Sequence, residues 1–251
     1  MMRSFIQRLQ DAKRRDAIAY KLAAMAVPGP IRRKIFEYYF NHSIKQNADV
    51  RTIFESIHAK NWWRSGESIS GVGSELKRTE SLRSQLELWL SVHRDEVSVL
   101  LDAPCGDFNW IRAVKLPNNM RYVGGDIVRS LIESNSANFA NDDYSFIDMD
   151  IISGALPIGD AWLCRDVLFH FPFKEGGEVV ERFRASRFKY FMATTNDDAK
   201  NDKDIKFGWF RPVNLSIAPY NLGPPIERWK DAPENEPDRY IGVWQNPRLH
   251  N

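Results

Sequence analysis

The sequence predicts an α/β fold in which a mostly parallel sheet, covered by helices on both faces, is closed by an antiparallel hairpin. Three observations carry that prediction. From Val97 onward, strand-like apolar runs alternate with helical stretches. The early runs end in acids at nearly equal intervals, at Asp102, Asp126 and Asp148–Asp150. The last two extended runs, Phe207–Leu215 and Arg239–Gln245, have no good helix between them. With 251 residues, 43% hydrophobic and 12% aromatic, the chain is long enough for one large domain with an appendage. We place a basic helical extension at residues 1–58 and the α/β domain at residues 59–251.

Taken in order, Phe5, Leu9, Ile18, Leu22 and Met25 recur at helical spacing until Pro28-Gly29-Pro30 breaks the pattern, and a second helix is expected over 31–44. Residues 1–45 hold ten Lys and Arg against three acids, about +7, so the rest of this +2 chain is about −5. Two readings stand for this extension: a solvated basic face, or docking to a membrane surface or an acidic protein partner. No apolar run approaches the roughly 20 residues that span a bilayer, and the Arg-rich start lacks a signal peptide's apolar stretch. Cys105 and Cys164 sit in apolar, strand-rich settings, which fits a reducing compartment better than a disulfide framework. A cytoplasmic location, with peripheral membrane docking as its variant, is the expectation.

The apolar run Ile53–Trp63 comes next, then the loop Ser68–Ser74, where Gly71 and Gly73 allow backbone to approach a ligand or simply make a surface turn. A helix follows at 79–93. Strands are expected at 97–102, 122–126, 144–148, 161–164 and 189–195, and helices at 128–138 and 175–183. Gly223-Pro224-Pro225-Ile226 and Lys230–Asp238 read as loop.

The run Val99-Leu100-Leu101-Asp102-Ala103-Pro104-Cys105-Gly106-Asp107-Phe108 is the most informative. A strand that ends in an acid and turns through glycine, followed by a second strand ending in Asp126, makes a pocket for a nucleoside cofactor. Any one of these acids could instead cap a helix or a turn. A dinucleotide site wants three glycines facing a pyrophosphate, whereas this loop has Gly106 alone and an extra acid, Asp107. Carboxylates suit a cationic ligand better.

On these residues, the stretch from about Val97 to Gln245 resembles the class I S-adenosylmethionine-dependent methyltransferases. The resemblance implies a Rossmann-like sheet of seven strands whose last hairpin is antiparallel. It also implies that Asp102, Pro104 and Gly106 cradle the methionine part of the cofactor and that Asp126 takes the ribose. Asp150 would face the adenine amino group, with Ile127 and Ile151 packing on the ring. A softer similarity, to bacterial and viral methyltransferases of glycan sugar hydroxyls, rests on Ser70-Gly71-Val72-Gly73-Ser74 with Thr79, Ala103–Trp110, Cys164–His170 and Arg211–Leu215. It implies that Ser70, Gly71, Gly73, Ser74 and Thr79 close over the cofactor's amino acid end, with Arg165 among its contacts.

Methyl transfer to a sugar hydroxyl needs a proton acceptor. Asp166 and His170, four apart after the fourth strand, fall on one face of a helical turn. His170 is the expected general base, with Asp166 orienting it or binding the acceptor. A histidine among Phe169, Phe171 and Phe173 could equally be a packed core residue. A divalent metal could activate the hydroxyl instead, and Asn196-Asp197-Asp198 offers oxygen ligands, but no metal ligand is assigned. Trp209, Arg211, Asn214 and Tyr220 are the expected saccharide contacts, although the aromatic ones could serve the core. Alternatives are a small metabolite or RNA as acceptor, or a catalytically silent scaffold. Nucleic acid is disfavoured because the catalytic part is net acidic and lacks a basic stripe.

Overall fold

The computed structural model describes residues 48–63, 65–231 and 239–249. The chain divides into two compact units, Met1–Asp49 and Val50–Asn251, and only the second is described below. The helices expected at 4–26 and 31–44 lie outside the described residues.

The second unit opens with α1 (Val50–Ala59), so the expected domain boundary at 58/59 falls inside a helix. A 3-10 turn at Val72–Ser74 and α2 (Glu80–Val92) lead into the sheet. Its strands are β1 (Val99–Asp102), β2 (Arg121–Asp126), β3 (Tyr144–Asp148), β4 (Ala161–Cys164), β5 (Tyr190–Thr195), β6 (Glu227–Lys230) and β7 (Tyr240–Gln245). Helices α3 (Arg129–Phe139) and α4 (Phe173–Ala185) complete the α/β alternation. The order across the sheet is β3-β2-β1-β4-β5-β7-β6, with the first five strands parallel and β7 antiparallel to both β5 and β6. The chain therefore starts in mid-sheet at β1, winds outward to β3, and crosses back to β4. That reversal leaves a crevice at the carboxyl ends of β1 and β4, where open α/β sheets bind ligands.

The central strands are buried on both faces, as apolar runs such as Val99-Leu100-Leu101 require in a parallel sheet. On one face Leu82, Leu86, Trp89 and Leu90 of α2 pack against Leu100, Leu163 and Met192. On the other Trp162 and Phe191 meet edge-on at 5.3 Å, and Phe183 of α4 stacks on Phe191 at 4.9 Å.

The closing hairpin differs from the expected one in its first arm. Residues Glu227–Lys230, not Phe207–Leu215, pair with β7. The 207–215 stretch contains Pro212, which has no N–H to give a ladder, and Gly208 at φ 78°. It docks as an extended loop on the turn after β4, where Gly208 N donates to His170 O at 2.9 Å and Arg211 N to Phe169 O at 3.1 Å.

Candidate active site

A cavity of about 300 Å3 opens in the crevice beyond β1, β2 and β4. That is at the lower end of the range for small-molecule sites, about 300–1,000 Å3. Its floor is the turn after β1. Gly106 there has φ 57°, and its N–H donates 2.9 Å to Asp126 Oδ2 from β2. A Cβ at Gly106 would lie 2.1 Å from Ser70 Oγ, so only glycine lets this turn sit beneath the Ser70 loop. Asp126 also accepts Val128 N at 2.9 Å through Oδ1. Burial pushes its carboxyl above the usual range, against the neighbouring His58 and the backbone N–H groups of Val128, Gly106 and Ile127. Asp102, at the end of β1, is buried and accepts the Tyr122 hydroxyl at 2.7 Å. Burial pushes its carboxyl up to about 7, against the Tyr122 hydrogen bond and Arg165. Such an acid takes a cationic ligand group readily, because the ligand's charge restores what desolvation disfavours.

Asp107 has a different place from the one expected of an acid beside the ligand. Its carboxylate accepts Ser68 Oγ at 2.9 Å, Ser70 Oγ at 3.0 Å and Ile69 N at 2.8 Å. It clamps the Ser-Gly loop onto the turn after β1. Asn109 continues the clamp by donating to Glu67 Oε1 at 2.7 Å and Ser74 O at 2.9 Å.

The opposite wall is an ionic cluster. Arg165 is bound side-on by Asp231, Nε and Nη2 each donating at 2.9 Å, and Nη2 also donates to Gly73 O at 2.8 Å. Its guanidinium lies over the Trp110 ring at 5.1 Å, and Asp166 Oδ2 is 3.4 Å from Nη1. Arg239, at the start of β7, reaches the same cluster 3.6 Å from Asp166 Oδ2 and donates through Nε to Asp231 O at 2.8 Å. Burial works against ionised Asp166, but Arg165 and Arg239 outweigh it and hold its carboxyl below the usual range. Thus Arg165 borders the cavity with its charge already matched.

His170 stands at the end of the 3-10 turn Leu168–His170. Its Nδ1 lies 2.8 Å from Trp209 O, which accepts only if Nδ1 carries the proton, leaving Nε2 as the basic nitrogen. The imidazole is oriented by that carbonyl rather than by Asp166, whose carboxylate faces Arg165, Arg239 and Thr194. Burial lowers the His170 pKa below its ordinary value, against the Trp209 hydrogen bond and Asp166, so the ring is a neutral base at pH 7. Trp63 stacks on it at 5.5 Å and 23°, and Phe210, largely exposed, meets it edge-on at 6.2 Å.

Among the residues expected at the site, Ser70, Gly71, Gly73 and Ser74 border the cavity on the loop side. Asp102, Pro104, Gly106, Asp126 and Ile127 line it from β1 and β2. Asp150, Ile151, Arg165, Asp166 and His170 line the remainder. Asp150 also caps its own turn, accepting Ile152 N at 2.8 Å and Ser153 Oγ at 2.5 Å. Thr79 does not line the cavity. It is buried at the start of α2, donating to Glu75 O at 3.0 Å. The four residues expected to hold a saccharide also lie outside the cavity lining. Arg211 donates to Phe171 O at 2.8 Å and to the Tyr220 hydroxyl at 3.1 Å, stacked over Phe173 at 3.9 Å, so Arg211 and Tyr220 brace α4. Asn214 donates to Asp197 O at 2.8 Å, and Trp209 contributes its carbonyl to His170. Asp197 pairs with Arg228, and among the described residues no group of three His, Cys, Asp or Glu side chains is placed to hold a metal ion.

Sequence reasoning missed Phe54 and His58 of α1, Trp63, Phe210 and Arg239. The signal for α1 was present: Val50, Phe54 and His58 repeat every fourth residue, and all three face the cavity.

No protein-family model matches the sequence, and no curated protein resembles it closely. Solved structures do resemble its fold. Magnesium protoporphyrin IX methyltransferase (ChlM) from Synechocystis PCC 6803, with bound SAM, superposes with a TM-score of 0.54 at 13% identity, covering 80% of this chain and all of that one. The likeness is one of fold: the chain shares its architecture with methyltransferase structures. Burkholderia thailandensis 1,6-didemethyltoxoflavin-N1-methyltransferase, with bound 1,6-didemethyltoxoflavin and S-adenosylhomocysteine, gives 0.53 at 13%, over 78% of this chain and 87% of that one. N-methyltransferase NodS from Bradyrhizobium japonicum WM9, in complex with S-adenosylhomocysteine, gives 0.51 at 12%, over 68% and 88%.

Proposed function

We propose that the chain is an S-adenosylmethionine-dependent O-methyltransferase acting on a sugar hydroxyl of a glycan. One observation carries the cofactor assignment: two buried carboxylates, Asp102 and Asp126, end adjacent strands around the left-handed Gly106 turn in one cavity. The donor set fits that group. Asp126 offers acceptors to a ribose diol, Asp102 an acceptor to an ammonium, and Ile127, Met149 and Ile151 apolar surface to a purine. When bound, S-adenosylmethionine supplies an electrophilic methyl group on a sulfonium. The chain's own part is to orient and to take a proton. His170, held through Nδ1 by Trp209 O, presents Nε2 to a hydroxyl acceptor and removes its proton as the oxygen attacks. Asp166, held by Arg165 and Arg239, keeps negative charge near the imidazolium that results.

A saccharide acceptor is supported by Trp63 and Phe210, two aromatic rings that line the cavity in contact with His170, since sugar C–H faces stack on such rings. The same apolar surround, with Phe169 and Phe171, supports a small planar metabolite as second reading. The two buried free thiols support a reducing, cytoplasmic setting.

Calorimetry with S-adenosylhomocysteine tests the cofactor: wild-type protein binds, and Asp126→Ala weakens binding at least about tenfold, the worth of a lost charge-assisted hydrogen-bond pair. Equal affinity refutes the assigned contact. Incubation of a glycan extract with methyl-labelled donor, read by mass spectrometry, tests the acceptor. Label on saccharide is expected; label on a low-mass planar product or on RNA replaces the glycan reading.

A further inference from the structure

The α1 helix forms a wall of the cavity, with Val50, Phe54 and His58 on one stripe. It is fastened over the nucleoside end by Arg51, whose guanidinium donates to Ile127 O at 2.6 Å and to Asp148 Oδ1 at 2.7 Å, at the tips of β2 and β3. Within that wall His58 is 6% exposed, borders the cavity, and meets the Trp63 ring edge-on at 5.0 Å. Its Nδ1 is buried with no hydrogen-bond partner among the described residues. A buried polar atom left so costs stability unless a ligand or water completes it.

We propose that His58 is a further binding residue of the nucleoside end, sharing a ribose hydroxyl with Asp126. The inference rests on the S-adenosylmethionine reading above. The chemistry is complementary. A hydroxyl has one proton to give and two lone pairs to satisfy. Asp126, acceptor-only when ionised, takes the proton, and an imidazole N–H of His58 donates to the oxygen. No backbone donor is then needed from the Gly106 turn, whose N–H is already given to Asp126. His58 and Asp126 line the same cavity, and the ring's pKa, lowered by burial, is pulled up by Asp126 and then Asp107.

The experiment compares S-adenosylhomocysteine binding by wild type, His58→Phe and His58→Gln, alongside nitrogen-15 NMR of the histidine side chains. Phe fills the space without a donor, and Gln restores an N–H. The expected result is at least about tenfold weaker binding for Phe, partial recovery for Gln, and a shift of the His58 ring nitrogens on titration with ligand. Equal affinity of wild type and His58→Phe, or an unmoved His58 signal in a protein that binds, overturns the inference and leaves the cofactor reading intact. Should His58→Phe not fold, the Gln variant and the wild-type NMR titration decide. A wild-type chain that binds no S-adenosylhomocysteine overturns both.

Discussion

His170 and Asp102 show how far single side chains carry the chemistry. Under the proposed function, with Trp209 O holding the Nδ1–H tautomer, His170→Ala takes away the base and leaves the cofactor contacts in place. Binding of S-adenosylhomocysteine should stay within about twofold of wild type while turnover falls by about 10²–10⁴, the usual worth of a positioned base. Retained turnover in a methyl-transfer assay would move the base elsewhere. Asp102 makes a pH prediction. Its folded pKa of about 7 lies above the ordinary 3.8, so between those values the folded chain holds a proton that the unfolded chain has lost. That contribution to stability is present below about pH 4 and is lost as pH rises through about 7. His58 and His170, both lowered by burial, act oppositely and cost stability as pH falls below their ordinary 6.5. Asp102→Asn, which keeps an acceptor for Tyr122, should gain urea midpoint on wild type between pH 5 and pH 8; parallel curves would deny Asp102 its raised pKa. The acids that line the cavity from β1 and β2 were legible because their type and order are written into strand ends. His58 and Arg239 were not, because each comes from an element distant in sequence from the Gly106 turn.

At the level of elements, short loops do the positioning. Asp107 gathers Ser68, Ile69 and Ser70 with one carboxylate, so Asp107→Ala should free the loop. Limited proteolysis should then cut between residues 65 and 75, and affinity for S-adenosylhomocysteine should fall about tenfold, the worth of one to two hydrogen bonds to a charge. Protection equal to wild type would show that the loop is held by other contacts. Gly106→Ala is the harsher change, since it strains a left-handed backbone and meets Ser70 Oγ at 2.1 Å. Strand and helix alternation was readable from Val97 to Thr195 because apolar runs and helical periods are intrinsic to those segments. The hairpin's first arm escaped because Glu227-Arg228-Trp229-Lys230 is short, mostly exposed and polar. Phe207–Leu215 looked like a strand because its aromatic residues serve the walls of the site and the α4 brace instead of a ladder.

Across the whole molecule, the Arg165, Asp166, Asp231 and Arg239 cluster joins the end of β4 to both arms of the closing hairpin. Removing one partner of such a buried pair strands a charge, at a cost of about 3–5 kcal/mol. Asp231→Ala should therefore lower the denaturation midpoint substantially in a thermal or urea melt, and a loss under about 1 kcal/mol would mean the cluster relaxes into water. The reversed direction of β7 is why this joint exists. It delivers the beginning of one strand to a rim otherwise made of strand endings. A basic side chain just ahead of a reversed strand thus faces carboxylates just beyond the tails of its neighbours, so the hairpin cannot peel from the sheet without parting opposite charges.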